Sequence, residues 1–167
     1  FMMANLGLGS NHLADDLNGI GGMNTDLGDP VYAISLGRVI YAAYAGEGWG
    51  NMVIIEHAIG DGQSRKYVQS VYAHLKEFYV LVGSIVRRGE VIGEVGNADG
   101  KYPAHLHFEM RASNVTDPGR GYSKKPLNRM DPTLTIKKWR GVDNDVLNLS
   151  PSVLESEENL ETLEFDF

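Results

Sequence analysis

Short apolar runs separated by glycine are the feature that most constrains the fold of this chain. Glycine accounts for 20 of the 167 residues, and helix signals are scarce. The runs are, in chain order, VYAISLGRVIYAAYAG, GNMVIIEHAIG, YVQSVYAHL and FYVLVGSIVRRGEVIGEVG. Many short strands joined by glycine-rich turns are typical of all-β sandwiches and barrels, and no strand–helix alternation indicates a parallel sheet. The sequence therefore predicts an all-β, mainly antiparallel fold with few or no helices apart from the C-terminal region.

Two segments in these runs resemble each other. Residues 28–31 followed by residues 36–39 share a pattern with residues 83–86 followed by residues 88–91. Each has the form G-x-x-V, then a turn centred on glycine, then a β run. The repeat predicts two copies of one β-hairpin unit that pack together.

The length and the charge distribution predict one domain with an acidic tail. Residues 155–167 carry six acidic side chains and no basic one, and removing these six charges from the net charge of −7 leaves −1. We expect a short N-terminal lead over residues 1–11, one domain over residues 12–140, and a tail over residues 141–167 that is partly disordered or forms a short helix. Residues 112–132 have the composition of a loop, and residues 134–139 fit a final strand or a short helix.

Composition also excludes several classes of protein. The negative net charge argues against a nucleic-acid partner. No apolar run is long enough to span a membrane. The chain has no cysteine, which excludes disulfides and thiolate zinc sites.

The stretch YPAHLHFEMR, residues 102–111, alternates with a period of two, as expected for a β-strand with two different faces. Its apolar face carries Leu106, Phe108 and Met110, and its polar face carries His105, His107, Glu109 and Arg111. Residues i and i+2 of a strand point the same way, so the two imidazoles project into the same space. The polar face is either solvated or part of a metal or catalytic site.

A second pair of metal-ligand types lies near the N-terminus. His12 and Asp16 offer a neutral imidazole and a carboxylate, both of which suit zinc. Asp15 is a rival to Asp16, and spacing alone does not decide between them. Together with the H-L-H strand, this pair supplies the three protein ligands that a catalytic zinc site uses, with a fourth position left for water.

Three motifs occur here in the order and context of the lysostaphin-like zinc metallopeptidases, peptidase family M23, which the chain resembles over roughly residues 12–111. They are His12-x-x-x-Asp16, Tyr72-Ala73-His74-Leu75 and His105-Leu106-His107. The phrases GDPVYAISLGRVIYA, GWGNMVIIEH, VGSIVRRGEVIGEVG and AHLHFEMR also resemble the family. One departure is Ala14, where the family usually has a glycine, whose backbone is less restricted.

The resemblance implies a β domain with a groove and one zinc ion per chain, held by His12, Asp16 and His107. It implies that His74 and His105 are catalytic and flank the water activated by zinc. It also implies hydrolysis of peptide bonds in peptidoglycan cross-links or stems, and therefore a periplasmic or secreted location.

Three further residues have less specific predictions. Glu109 lies next to His107 on the polar face and is a candidate to orient an imidazole as a partner outside the metal's own ligands. Tyr102 is a candidate groove residue that could donate to a developing oxyanion. His57 is predicted to be structural or exposed, because the ligand set is complete without it.

Two alternatives stay open at the level of sequence. A non-catalytic cell-wall-binding or activator module could use the same fold, although such a module would be expected to lack one or more ligands. The run G-x-x-V-x-x-G-E-x-I-G-x-V-G also resembles lipoyl or biotinyl carrier domains and sugar phosphotransferase carriers. A lipoyl or biotinyl carrier needs a modifiable lysine, for which Lys101 is the nearby candidate.

Overall fold

A computed structural model describes residues 1–59 and 66–140, which form thirteen strands and one helix. The strands are β1 (Ala4–Asn5), β2 (Ser10–His12), β3 (Asp15–Leu17), β4 (Pro30–Tyr32), β5 (Gly37–Tyr44), β6 (Asn51–Ile59), β7 (Lys66–Leu75), β8 (Glu77–Phe78), β9 (Ile85–Val86), β10 (Val91–Glu94), β11 (Leu106–Arg111), β12 (Tyr122–Ser123) and β13 (Arg129–Met130). The helix is α1 (Pro132–Trp139). The predicted all-β class, with helix confined to the C-terminal region, is confirmed.

The strands form one large sheet and two small ones. The large sheet has the order β13-β11-β7-β6-β5-β9, and β3 pairs with β11 beside this path. The small sheets have the orders β1-β2-β12 and β4-β10-β8. Every pairing is antiparallel.

The two similar segments do pack together, but the predicted hairpins within each segment are wrong. β4 of the first segment pairs with β10 of the second, and β9 of the second pairs with β5 of the first. The residues between the strands explain this exchange. Ala33, between β4 and β5, donates to the carbonyl of Glu90 and accepts from the amide of Gly89. The chain between β4 and β5 is therefore hydrogen-bonded to the second segment, and it leads from the β4-β10-β8 sheet to the large sheet.

The main core lies between the large sheet and the β4-β10-β8 sheet. It contains the apolar side chains of Val31, Val39, Ile55, Val68, Tyr72, Val86, Ile92, Phe108 and Met110. A smaller cluster on the other face of the same strands contains Met52, Ile54, Val71 and Ala73, with Trp49 packed against it. β6 and β7 contribute to both clusters, which explains why their sequences are apolar in continuous runs rather than alternating.

The segment predicted as a loop, residues 112–132, contains the short strands β12 and β13 within irregular chain. The choice between strand and helix for residues 134–139 is resolved as helix. The Asp131 carboxylate accepts from the Leu134 amide at 2.8 Å, and Pro132 lies in the first turn, both of which favour a helix start. The predicted acidic tail, residues 141–167, lies outside the described residues. In the described part of the chain, no helix has the length and apolarity needed to cross a membrane.

Gly96 allows two segments near the strand ends to approach closely. A Cβ at this position would lie 2.6 Å from the carbonyl carbon of Leu75, and closer still to backbone atoms of His74 and Lys76. The Gly96 carbonyl also accepts from the His105 amide at 3.2 Å. Gly96 therefore holds the backbone of both predicted catalytic histidines.

Replacing Gly96 with alanine is expected to force these backbones apart and to lower the free energy of unfolding by about 2–3 kcal/mol, as overpacking does. Gly7→Ala is the matched control, because the nearest atom to its new Cβ is a side-chain oxygen at 3.4 Å. Urea unfolding of both variants measures the difference. Equal stability of the two variants would contradict the close approach.

His57 is buried in the core and bound at both ring nitrogens. Its Nδ1 lies 2.9 Å from the Leu36 carbonyl and its Nε2 lies 2.7 Å from the Ser70 hydroxyl. Ser70 also donates to the Tyr72 hydroxyl. This environment agrees with the predicted structural role. Burial is the main cause that lowers the pKa of His57 to about 4.

The lowered pKa predicts a dependence of stability on pH. The unfolded chain protonates His57 near pH 6.5, whereas the folded chain resists protonation until about pH 4. The stabilisation is therefore complete above pH 6.5 and is lost as pH falls toward 4, by up to roughly 3 kcal/mol. His57→Gln, which keeps hydrogen-bonding groups but does not titrate, should lose less stability over this interval. Urea unfolding at pH 7, 5.5 and 4 tests this, and parallel pH profiles would refute it.

Candidate metal centre

Antiparallel register brings two of the predicted ligands together. β11 pairs with β7 on one edge and with β3 on the other, so that His107 is opposite Ala73 and also opposite Asp16. His12 arrives from β2, where it pairs with Tyr122 of β12. Directly opposed residues have side chains within contact distance. Strands β2 and β3, which are close together in sequence, therefore converge on one point with the distant strand β11.

The donor atoms at this point form a small triangle. The distance from His12 Nε2 to His107 Nδ1 is 3.1 Å, and the Asp16 Oδ1 atom lies 3.6 Å from the first and 3.5 Å from the second. Four ligands held tetrahedrally at zinc bond lengths of 2.0–2.1 Å lie about 3.4 Å from one another. The three donors therefore fit the size and chemistry of a zinc site that keeps one position open.

The neighbouring acid, Asp15, is oriented away from this triangle. Its Oδ2 accepts from the Thr133 hydroxyl of α1 at 2.9 Å. Ala14, the departure from the family pattern, is buried and does not have a positive φ. The backbone of the first motif therefore does not use the freedom that a glycine would offer here.

The two predicted catalytic histidines lie beside the triangle, and each is bound through Nδ1 to a backbone carbonyl. His105 Nδ1 lies 2.8 Å from the Pro103 oxygen, and His74 Nδ1 lies 3.1 Å from the Trp49 oxygen. A carbonyl only accepts, so Nδ1 carries a hydrogen in each ring, and in the neutral tautomer Nε2 has the lone pair. His105 Nε2 lies 3.6 Å from Asp16 Oδ1, and the ring centroids of His74 and His105 are 4.8 Å apart.

The backbone of His74 adopts a conformation that is rare outside glycine. Its φ is +63°, in the left-handed region, near the end of β7. The Trp49 carbonyl accepts hydrogen bonds from both the backbone amide and the ring Nδ1 of His74, at 2.9 and 3.1 Å. Such strain costs about 1–3 kcal/mol and persists where the surroundings determine the conformation, often at functional sites. Here it places the imidazole over the cleft.

Burial and mutual contact shift the pKa values of this cluster. Burial, followed by the nearby His107, lowers the pKa of His12 and lowers that of His74 to about 3. Burial alone would raise the pKa of Asp16, but its contacts with the three imidazoles of His107, His12 and His105 lower the pKa overall. For the donors His12 and Asp16, these shifts favour the unprotonated forms that bind a metal ion.

Glu109 contacts His107 behind the triangle, with Oε1 3.1 Å from Nε2. The polar face of β11 is therefore buried, not solvated: the exposed fractions of His107 and Glu109 are 3% and 0%. Burial alone would lower the pKa of His107, but hydrogen bonds with Asp16 and Glu109 raise it. An ionised carboxylate only accepts, so His107 Nε2 carries a hydrogen, and in the neutral ring Nδ1 faces the other donors with its lone pair.

The site lies in an open cleft of about 240 Å³. Tyr102 lines it, with its ring centroid 5.0 Å from that of His74. Lys101, the lysine that a carrier domain would modify, donates to the Glu47 carboxylate on the rim at 2.6 Å. The lining also includes Trp49 and Tyr122, which sequence analysis did not single out.

These two missed aromatics had only weak signals in the sequence. Trp49 lies 5.1 Å from His107 between ring centroids, and Tyr122 lies 5.0 Å from His12. The alternation of glycines at 46, 48 and 50 indicates a tight turn around Trp49. Tyr122 is in a segment with loop composition, so nothing local indicated that it pairs with a ligand strand.

Comparison with known proteins gives a family for this chain. Residues 18–118 match peptidase family M23; this region contains His74, His105 and His107 and begins just after His12 and Asp16. Lysostaphin from Staphylococcus staphylolyticus is 33% identical over 93 residues, which cover 55% of this chain and 18% of lysostaphin. The DD-carboxypeptidase/endopeptidase Mpg from Neisseria meningitidis serogroup B is 42% identical over 84 residues, which cover 50% of this chain and 17% of Mpg.

The chain thus spans less than a fifth of the length of these relatives. Among solved structures, the catalytic domain of lysostaphin from Staphylococcus simulans has a TM-score of 0.55 and 24% identity, and covers 76% of this chain and 80% of that one. At this identity the likeness concerns the fold alone. Because the family match extends over more than half of the chain, the chain belongs to peptidase family M23.

Proposed function

We propose that this chain is a zinc-dependent endopeptidase that hydrolyses peptide bonds in peptidoglycan cross-links or stem peptides. The observation that carries the proposal is the donor triangle of His12, Asp16 and His107, with two further imidazoles at the same cleft. A structural zinc site would be closed by a fourth protein ligand, whereas three ligands beside free histidine nitrogens are typical of a catalytic site.

The proposed chemistry divides among the residues of the cleft. Zinc held by the triangle supplies Lewis-acid polarisation of the scissile carbonyl and a water of lowered pKa. His105, with its Nε2 lone pair near Asp16, accepts the proton from the attacking water and returns it to the leaving amine. His74, held by the Trp49 carbonyl, accepts a hydrogen bond at Nε2 and orients the reacting groups. Glu109 holds His107 in the tautomer that binds metal.

The substrate class is inferred from the relatives. Lysostaphin is described as an antimicrobial peptidase, and Mpg is described as a DD-carboxypeptidase/endopeptidase. Family membership and an open, partly aromatic cleft support a peptide substrate, and peptidoglycan peptides fit the activities named for the relatives. We place the chain outside the cytoplasm, in the periplasm or secreted, because that is where this substrate lies.

Replacing a ligand and replacing a neighbouring histidine should have different effects. Wild-type protein should contain one zinc per chain. His107→Ala should lose most of the zinc and the activity, because two donors do not hold the ion tightly. His105→Ala should keep the zinc and lose activity by about 10²–10⁴-fold, as expected for loss of a proton-transfer group.

Metal analysis and cleavage rates of both variants test these expectations. His57→Gln serves as the control, since that histidine is buried away from the cleft. A His107→Ala protein with full zinc and the wild-type rate would exclude the assignment of the metal site.

The activity itself is tested by digesting purified peptidoglycan fragments and analysing them by mass spectrometry, with chelator and with zinc added back. New fragments that disappear with chelator and return with zinc are the expected result, and their masses identify the bond. Zinc-loaded protein that cuts no fragment from any wall type would contradict the proposed activity and support the non-catalytic binding or activator module instead.

A further inference from the structure

A buried cluster of opposite charges lies directly behind the ligand His107. Its members are Glu109, Arg111 and Arg129, whose exposed fractions are 0%, 2% and 9%. The Glu109 Oε2 atom accepts from Arg111 Nε at 2.6 Å and from Arg129 Nε at 3.1 Å. The other carboxylate oxygen, Oε1, remains for His107.

The two arginines therefore determine which way the carboxylate faces. Hydrogen bonds from both guanidinium groups to Oε2 orient Oε1 toward His107 Nε2. Without one of them, the carboxylate would be freer to rotate. Rotation would weaken the contact that orients the imidazole.

Arg129 also connects this cluster to the wall of the cleft. Its Nη2 atom donates to the carbonyl of Arg120 at 3.0 Å, while Nη1 donates to the side chain of Asn128 at 2.7 Å. The next residue, Gly121, lies against Trp49 and the ring of His107: a Cβ there would be 3.1 Å from the first and 3.8 Å from the second. The Arg129 guanidinium thus contacts both Glu109, which is the partner of His107, and the segment of Arg120 and Gly121 beside the cleft.

Local sequence gives no indication of this role. Arg129 lies on β13, twenty residues after Glu109 in the chain and beyond the region 18–118 that matches the family. The pairing of β13 with β11, in which Arg129 is opposite Arg111, brings it to the cluster. Two like charges side by side are unfavourable in a protein interior unless a shared anion offsets them, and Glu109 is that anion.

We propose that Arg129 is a positioning residue for the metal centre, which acts through Glu109 on the ligand His107. This inference rests on the proposed zinc site, but not on peptidase activity. It predicts that Arg129 influences zinc affinity although its guanidinium bonds to none of the three ligands. It also predicts that the influence requires the Glu109 carboxylate.

The test is the zinc dissociation constant, measured by competition with a chelator, for a cycle of four proteins. Glu109→Gln should weaken zinc binding by about 10–100-fold, the usual effect of removing such a partner. Arg129→Met should weaken it by roughly three- to tenfold, a smaller effect because Arg111 still holds the carboxylate. In the double variant, the second change should add at most about twofold, since both act on the same contact.

Two further variants protect the test from misfolding and from general effects of charge. Arg129→Lys keeps the charge but not the planar fork, so it should fold and bind zinc with intermediate affinity. Arg87→Met is the matched control, because Arg87 is an exposed arginine in the turn after β9. The zinc affinity of this variant should equal that of the wild-type protein. Thermal unfolding of the metal-free proteins identifies any variant whose fold has failed.

The outcomes separate this inference from the proposed function. Wild-type affinity in both Arg129→Met and Arg129→Lys, or losses that multiply in the double variant, would overturn the inference and leave the zinc site intact. If Arg129→Met does not fold, Arg129→Lys alone decides, by its affinity relative to Arg87→Met. Weaker zinc binding in the Arg129 variants of a protein that cuts no wall peptide would support the inference and contradict the proposed peptidase activity.

Discussion

The double pairing of β11 is the constraint on which the candidate site depends. Its two edges are occupied by β7 and β3, which places Asp16 opposite His107. Side chains alternate along a strand, so a shift of one residue would turn His107 into the apolar core, where Phe108 now packs. The backbone hydrogen bonds that stabilise the large sheet therefore also determine the distances between the ligand atoms. Stability of the fold and preorganisation of the site are in this respect the same property.

Burial of charge behind the site follows from the same strand. The interior position of Glu109 would cost several kcal/mol if the carboxylate were alone. Arg111, Arg129 and the ring of His107 offset this cost, and the carbonyls of residues 117, 118 and 120 accept further hydrogen bonds from the two guanidinium groups. The result is a continuous series of polar contacts from the ligand to the irregular segment after β11. Loss of one member removes a hydrogen-bond partner from groups that stay buried, which makes the series sensitive to substitution.

Ligands and auxiliary histidines are held by different means. His12, Asp16 and His107 all lie within strands. His74 has a left-handed backbone near the end of β7, and His105 precedes β11. Both are fixed by backbone carbonyls at Nδ1 and by the close approach at Gly96. The candidate ligands are thus positioned by sheet register, whereas His74 and His105 are positioned by contacts with backbone carbonyls and with Gly96.

The sequence by itself determined the β class, through glycine-punctuated apolar runs, and the candidate histidines, through the alternation around His107 and the order of the three motifs. Tertiary structure alone decided that the polar face of β11 is buried and that the carboxylate of Asp16, not that of Asp15, faces the imidazoles. It also decided that β4 pairs with β10 and β5 with β9, instead of forming a hairpin within each similar segment. It also brought Arg129 to Glu109. The physical reason is that periodicity reports only which neighbours along one strand share a face. Which face meets water, and which distant strand lies beside it, depends on contacts between residues far apart in the chain.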